Sequence, residues 1–157
     1  SGAQRRLRRS ATRVRRRAPE VTFSSDLGPW PVEGDPQLLG RAVTNLLDNA
    51  AAWSSPGGTV TVILRDGTLQ VDDEGPGIDA ADLPHVFERF YRSAEARGRP
   101  GSGLGLAIVQ SAADRHGGTV RADRSPNGGA RLTLTIPGAM KLDVPGRSAT
   151  NSSSALA

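Results

Sequence analysis

The chain contains no cysteine, one lysine and two histidines, and it is poor in aromatic residues. The absence of cysteine excludes disulfide bonds and thiolate metal sites, and it is typical of a cytoplasmic domain. No run of about 18 apolar residues occurs, so the sequence predicts no membrane-spanning helix. The beginning of the chain is basic but lacks the apolar stretch of a secretory signal. The remaining composition, 36% hydrophobic and 23% charged over 157 residues, is that of one globular domain.

The positive net charge of +4 is concentrated in one segment. Eight of the 20 basic residues lie between Gln4 and Arg17, and the first acidic residue is Glu20. The rest of the chain therefore has 12 basic against 16 acidic residues. A nucleic-acid-binding domain usually spreads arginine over a folded face and interleaves aromatic residues. With 4% aromatic residues, the chain is not expected to bind nucleic acid, although a nucleic-acid arm remains the alternative for the basic segment.

The order of elements predicts an α+β two-layer sandwich, with a mixed β-sheet covered by helices on one face. An apolar stripe at helical spacing predicts a helix through the basic segment, ending at Pro19. VTFSSDL then alternates like a strand, and WPVEGDP, with its two prolines, predicts a short edge segment. A second helix is expected to begin at the N-cap Asp35, followed by Pro36, and to end at SSPGG.

Two hairpins and two helical stretches are predicted in the second half of the chain. TVTVIL and TLQVDD flank the turn RDG, and TVRADRS and ARLTLTIP flank PNGG. Between the hairpins, AADLPHVFERF predicts a short helical stretch and LGLAIVQSAADRHGG a longer helix. The C-terminal GRSATNSSSALA has the composition of a disordered tail.

Three stretches carry candidate chemistry, and the first is NLLDN. Asn45 and Asn49 are four residues apart, so they lie on one face of the predicted helix. Two carboxamides on one face can ligate Mg²⁺ through oxygen and hold a water molecule or a phosphate through their donors. The alternative is a pair of solvated polar positions on an amphipathic helix.

The second stretch, VDDEGPGI, places Asp73 at the end of a strand and before two glycines. Its carboxylate can accept a hydrogen bond from an exocyclic amine such as adenine N6. Gly75 and Gly77 would let a flat ring approach the backbone. The alternative is an ordinary strand followed by a tight turn.

The third stretch, GSGLGLAIV, runs into a helix that begins near Leu104. Backbone N–H groups and the positive end of that helix would bind an anion, usually a phosphate. A P-loop is excluded because the only lysine is Lys141. A dinucleotide fingerprint is excluded because Leu106 occupies a position that requires glycine and no strand leads into the loop.

Together these stretches resemble a known family. NLLDNAA, VDDEGPGI, FERFYR and GSGLGLAIV, in this order, closely resemble the N, G1, F and G2 boxes of the catalytic ATP-binding domain of bacterial sensor histidine kinases. NGGARLTLTIP is similar to the final glycine-containing strand of that family, and the likeness covers roughly residues 20 to 137. It implies a Bergerat-type ATP-binding fold of the GHKL superfamily, shared with gyrase B and MutL. The FERFYR box and the form of GSGLGLAIV point to the kinases.

The resemblance implies a site for ATP and Mg²⁺. Asp73 would recognise adenine, with Gly75 and Gly77 shaping the purine pocket, and the segment 91–102 would form a lid. The catalytic candidates are Asn45, Asn49, Arg92 and Arg99, and the metal candidates are Asn45, Asn49 and Ser102. The implied nucleotide-binding set is Asn45, Asn49, Trp53, Asp73, Gly75, Gly77, Ile78, Arg92, Arg99, Gly101, Ser102, Gly103, Leu104, Gly105 and Leu106.

Two positions depart from the family pattern. Ala52 stands where the family commonly has a basic residue, so one phosphate contact is missing and a modest ATP affinity is expected. Trp53 replaces the usual tyrosine, histidine or phenylalanine. As an aromatic residue it can wall the nucleotide pocket, and the alternative is a core role.

The phosphoacceptor histidine of such a kinase is normally followed by an acidic residue on a dimerising helix. The two histidines, His85 and His116, lack such neighbours, and both are interpreted as structural. We therefore expect residues 20–137 to form the catalytic domain, 1–19 a basic helical connector from a dimerisation hairpin outside this chain, and 138–157 a disordered tail.

The function implied by the resemblance is transfer of the ATP γ-phosphoryl group to a histidine on that separate dimerisation domain. The expected partners are this domain of the same protein and a response regulator, with no nucleic acid and no membrane contact by the fragment. The fragment is expected to be monomeric, in the cytoplasmic part of a membrane-bound sensor. The alternatives are a stand-alone GHKL-type ATPase or serine kinase acting on a partner protein, and a non-catalytic nucleotide-gated interaction module.

Overall fold

The computed structural model describes residues 2–28, 34–89 and 105–137. The predicted edge segment at WPVEGDP lies mostly outside these ranges, and the predicted tail at 138–157 lies wholly outside them. In chain order the elements are α1 (Gly2–Arg17), β1 (Thr22–Leu27), α2 (Pro36–Trp53), β2 (Thr59–Arg65), β3 (Thr68–Asp72), a 3-10 turn (Leu83–His85), α3 (Gly105–Arg115), β4 (Thr119–Arg124) and β5 (Ala130–Thr135).

The five described strands form one mixed sheet in the order β1-β2-β3-β5-β4. β1 runs parallel to β2, and the other neighbouring pairs are antiparallel. The sheet has one buried face, since every second residue of β2, β3 and β5 is buried. α1, α2 and α3 share a single core with that face. The predicted two-layer α+β sandwich is confirmed.

Local turn and cap chemistry explains where these elements begin and end. The carboxylate of Asp35 accepts hydrogen bonds from the backbone N–H groups of Gln37 (3.0 Å) and Leu38 (3.2 Å), which caps α2 as predicted. Asp66 and Gly67 join β2 to β3 with φ angles of 52° and 79°. Two consecutive residues with positive φ match the right-handed twist of a tight hairpin.

The helix predicted over AADLPHVFERF is largely wrong. In its described part, up to Arg89, only the 3-10 turn Leu83–His85 is helical. Asp82, at the N-cap position of this turn, makes no side-chain capping bond. No residue of the turn is fully buried, so tertiary packing does not compensate for the poor start.

The basic helix α1 packs against α2 and the edge strand β1. Leu7 and Val14 are each 1% exposed and belong to the same core cluster as the sheet residues. On the outer side, the Arg15 guanidinium lies 5.9 Å from the ring centroid of Phe23. α1 is thus part of the packed body of the domain, and its connection to a dimerisation hairpin stays a prediction. None of the described helices is long and apolar enough to cross a membrane.

His116 joins the end of α3 to the beginning of α2. Its Nδ1 donates to the carbonyl oxygen of Ala112 (2.7 Å), and its Nε2 accepts from the backbone N–H of Asp35 (3.1 Å). These two bonds require the neutral imidazole with its proton on Nδ1. The ring lies so close to Gly34 that a Cβ there would be 2.1 Å from Nε2. His85 is instead exposed, and its Nδ1 pairs with Glu88 at 2.9 Å.

Substitution of His116 by alanine is expected to lower the free energy of unfolding by about 1–2 kcal/mol, because two hydrogen bonds between elements are lost. Urea denaturation followed by circular dichroism measures this change. The matched control is His85→Ala, which removes an exposed pair and should cost no more than about 0.5 kcal/mol. Equal losses from the two substitutions would contradict the structural role assigned to His116.

Candidate functional site

Asp73 lies directly after β3 and is 3% exposed. Its Oδ1 accepts hydrogen bonds from the backbone N–H groups of Gly75 (2.9 Å) and Ala130 (3.0 Å). Its own N–H donates to the carbonyl oxygen of Ala130 at 3.0 Å. No other described residue forms a hydrogen bond to Oδ2 of Asp73. One carboxylate oxygen is therefore fixed by the backbone, and the other remains an acceptor for a ligand.

The pKa of the Asp73 carboxyl is raised above its ordinary range, chiefly because burial disfavours the charged form. The two backbone N–H groups that bind Oδ1 oppose this rise, and the neighbouring charge of Asp72 adds to it. Because its pKa is higher in the folded chain, the Asp73 carboxyl lowers stability progressively as pH rises from the ordinary pKa of aspartate through the raised pKa. A buried carboxylate that lowers stability at neutral pH is typical of a binding or catalytic site.

The carboxylate of Asp72 forms an ion pair on the opposite face of the sheet. The guanidinium of Arg131, from β5, donates through Nε and Nη2 to the two oxygens of Asp72, both at 2.8 Å. This bidentate pair raises the pKa of Arg131, mainly through the hydrogen bond to Asp72. It also joins β3 to β5 at the register that brings Ala130 to Asp73.

Two glycines allow the backbone to close around Asp73. A Cβ at Gly75 would lie 2.2 Å from the carbonyl oxygen of Trp53, the last residue of α2. A Cβ at Gly129 would lie 2.0 Å from the carbonyl oxygen of Asp73. Only glycine fits at either position without moving backbone. The turn after β3, the end of α2 and the beginning of β5 thus meet at one point.

Gly77 continues this arrangement with a φ of 82°. A Cβ at Gly77 would lie 2.7 Å from the carbonyl oxygen of Gly128 in the β4–β5 turn. Both the conformation and the close approach therefore favour glycine. Ile78, the next residue, is half-buried, and so is Trp53, whose carbonyl oxygen lies beside Gly75.

Asn45 and Asn49 lie on α2, and both side chains are half-buried. Neither carboxamide forms a hydrogen bond to another described residue. Gly105, the first residue of α3, approaches Asn45 so closely that its Cβ position is 3.8 Å from Oδ1 of Asn45. The first turn of α3, whose N–H groups have no partner within the helix itself, therefore lies beside this asparagine. Leu106 is half-buried and packs against the core.

The structure thus brings together most of the described candidates. Asp73, Gly75, Gly77 and Trp53 surround the junction of α2, β3 and β5, and Asn45 meets the beginning of α3. Six candidates lie outside the described residues, and their roles stay predictions: Arg92, Arg99, Gly101, Ser102, Gly103 and Leu104. The predicted lid at 91–102 also lies outside them.

Sequence reasoning missed the residues that hold Asp73 in place. The N–H of Ala130 is one of the two donors to Oδ1, and Gly129 leaves room for the Asp73 backbone. The signal was the glycine pair that opens the last strand in NGGARL. It is 57 residues from Asp73, so the sequence pattern alone does not connect the two.

Comparison with known proteins identifies the family of the chain. A family model described as "Histidine kinase-, DNA gyrase B-, and HSP90-like ATPase" matches residues 34–140, which contain every described site residue. The chain belongs to this family. The matched region is the catalytic ATP-binding domain of a histidine kinase, which confirms the resemblance seen in the sequence boxes.

Two similar proteins carry the same name. The chain is 51% identical over 139 residues to "Signal transduction histidine-protein kinase/phosphatase MprB" of Mycolicibacterium smegmatis, covering 83% of this chain and 28% of the relative. It is 52% identical over 139 residues to the protein of the same name from Mycobacterium avium, covering 83% of this chain and 27% of the relative. The chain thus spans less than a third of these relatives.

Two solved structures superpose on the fold of this chain. "Mycobacterial sensor histidine kinase MprB" superposes with a TM-score of 0.79 at 46% identity, covering 84% of this chain and 93% of the other. The "ATP binding domain of PrrB from Mycobacterium Tuberculosis" superposes with a TM-score of 0.64 at 32% identity, covering 86% and 93%.

Substitution of Gly75 by alanine is expected to destabilise the domain by about 2 kcal/mol or more, because the new Cβ would meet the Trp53 carbonyl and push the turn from α2. Gly40→Ala in α2 is the matched control: its Cβ meets no atom within 4 Å, and alanine favours a helix interior by about 0.5–1 kcal/mol. Thermal unfolding of both variants measures the difference. A Gly75→Ala domain as stable as the wild type would contradict the close approach.

Proposed function

We propose that this chain binds ATP with Mg²⁺ and donates the γ-phosphoryl group to a histidine on a separate dimerisation domain. The observation that carries the proposal is the buried carboxylate of Asp73, which has one oxygen fixed by two backbone N–H groups and one open to a ligand. An acceptor fixed in this way fits the exocyclic amine of adenine. The ATPase family of the chain agrees with this ligand.

The phosphate end of the nucleotide is assigned to α2 and α3. The carboxamides of Asn45 and Asn49 are not occupied by other described residues, and Asn45 lies beside the first turn of α3. Amide oxygens can hold Mg²⁺, and the helix terminus favours the negative charge of phosphate. The ion would supply charge neutralisation of the phosphates. Ser102 would complete its protein ligands, and Arg92 and Arg99 would contact the γ-phosphate.

Phosphoryl transfer requires little covalent chemistry from this domain. The nitrogen of the acceptor histidine would attack the γ-phosphorus in line, while the bond from this phosphorus to the β,γ-bridging oxygen breaks and ADP leaves. Any general base that takes the proton of the histidine would come from the acidic neighbour of that histidine. This chain would orient the phosphates and stabilise their charge, with the lid arginines as candidates for the transferred group.

The acceptor histidine is assigned to another segment because neither described histidine suits the role. Both ring nitrogens of His116 are bonded within the fold, and His85 pairs with Glu88 on the surface. The expected partners are the dimerisation domain of the same protein and a response regulator. We place the fragment in the cytoplasm, with α1 leading from that dimerisation domain.

A non-catalytic nucleotide-gated module is the second candidate. Ala52 is exposed at the position where the family commonly has a basic residue. The missing positive charge would weaken the hold on the phosphates and favour binding without transfer.

One experiment distinguishes the candidates. The chain is incubated with ATP labelled at the γ-phosphate and Mg²⁺, with and without a helical hairpin that carries a phosphoacceptor histidine. Acid-labile, base-stable label on the hairpin is the expected result. Acid-stable label on a partner serine would favour a serine kinase, and ATP hydrolysis without transfer an ATPase. Nucleotide binding with neither transfer nor hydrolysis would favour the gated module.

Asp73→Asn is expected to abolish adenine recognition while the domain stays folded. The asparagine oxygen can still accept from Gly75 and Ala130, but its NH₂ group replaces the open acceptor and opposes the adenine amine. Removal of the buried charge should leave stability at pH 7 equal or higher. Calorimetry should show ATP affinity reduced at least tenfold. Unchanged ATP binding would refute the role of Asp73.

ATP affinity is also expected to fall on acidification through the raised pKa of Asp73, because the protonated carboxyl no longer presents an ionised acceptor. The loss should begin at a higher pH than an ordinary aspartate would give. Titrations of ATP binding between neutral and acidic pH, within the range where the domain stays folded, measure this. A wild-type affinity that is flat over that range would contradict the assignment.

A further inference from the structure

Two polar contacts join α1 to α2. Nη2 of Arg17 donates to both carboxylate oxygens of Asp48, at 2.7 and 2.8 Å. One turn earlier on α2, the hydroxyl group of Thr44 donates to the hydroxyl oxygen of Ser10 at 2.9 Å, and Ser10 is only 6% exposed. The two contacts are four residues apart on α2, so they lie along one ridge of that helix.

This ridge lies next to the ridge that carries the nucleotide-binding candidates. Thr44 precedes Asn45 by one residue, and Asp48 precedes Asn49 by one residue. Consecutive residues of an α-helix are about 100° apart around its axis. Any rotation of α2 that moves Thr44 and Asp48 therefore moves both asparagines by the same angle.

The polar contacts are suited to fixing that rotation. The apolar contacts of α1, made by Leu7 and Val14 within the core, are non-directional and tolerate small rotations of neighbouring helices. Hydrogen bonds weaken steeply away from their preferred geometry. On its other side α2 packs along α3, whose first residue lies beside Asn45. The rotation of α2 thus sets the position of Asn45 relative to the first turn of α3.

We propose that Ser10 and Arg17 are positioning residues that fix the rotation of α2 and thereby orient Asn45 and Asn49 toward the metal-bound phosphates. This inference rests on the proposed function. It predicts that the adenine end and the phosphate end of the nucleotide site respond differently when the α1 contacts are removed. Asp73 is held by backbone groups of the turn after β3 and of β5, whereas Ser10 and Arg17 bond to Thr44 and Asp48 of α2. Loss of the α1 contacts should weaken phosphate binding and spare adenine binding.

The test uses the whole 157-residue chain with Ser10→Ala and Arg17→Gln combined. Binding of ATP with Mg²⁺ and of adenosine is measured by calorimetry. The affinity for ATP with Mg²⁺ should fall about tenfold, and that for adenosine should stay within about twofold. The matched control is Arg16→Gln, which removes the same charge from an exposed neighbour that forms no ion pair with a described residue.

Two further variants distinguish the positioning role from a general loss of structure. Arg17→Gln alone changes an exposed side chain, and an Arg17→Asp, Asp48→Arg exchange restores an ion pair between the helices. The exchange should recover most of the ATP affinity that Arg17→Gln loses. Equal weakening of ATP binding and adenosine binding in the Ser10→Ala, Arg17→Gln variant would overturn the positioning role. Unchanged ATP affinity in that variant, shown to be folded by circular dichroism, would also overturn it. A wild-type chain that binds neither ligand would instead overturn the proposed function.

Discussion

The structure of the site depends on one carboxylate oxygen. Oδ1 of Asp73 is bonded to the N–H groups of Gly75 and Ala130, and the backbone N–H of Asp73 returns a bond to Ala130. These bonds join the turn after β3 to the beginning of β5, and they fix the direction of the second oxygen. The glycines at 75 and 129 are required by the resulting closeness of the backbone. Burial of the charge is unfavourable for folding, so its persistence in the fold agrees with a ligand-binding role.

Around this point the fold joins two different kinds of contact. The proposed adenine side of the site is built from backbone groups of the sheet and its turns, which the Asp72–Arg131 pair helps to hold in register. The proposed phosphate side is built from side chains on α2 beside the first residue of α3, and α2 packs against both α1 and α3. The two proposed ends of the site thus rest on different parts of the fold.

Much of this arrangement could be predicted from the sequence, because its signals are local. Asp35 and Pro36 mark the beginning of α2, Asp66 and Gly67 define a hairpin turn, and the sequence boxes indicated the family and most candidate residues. The apolar pattern around Leu83–His85 predicted a helical stretch where the structure has only a short 3-10 turn, because the pattern does not show how little of this segment is buried. Contacts between distant residues could not be predicted: Ala130 with Asp73, Ser10 with Thr44, and Arg17 with Asp48 are 57, 34 and 31 residues apart. Their pairing is decided by the packing of whole elements.

The separation of 57 residues between Asp73 and Ala130 also bears on how the chain folds. The β2–β3 hairpin closes locally, whereas β3 meets β5 only after α3 and β4 have been placed between them in the chain. Closing so long a loop carries an entropic cost that is repaid only when the long-range pairing forms. The bond between Asp73 and the N–H of Ala130 depends on this long-range pairing, because Ala130 is the first residue of β5. A ligand that binds the open oxygen of Asp73 would therefore bind the native state in preference and stabilise it by mass action.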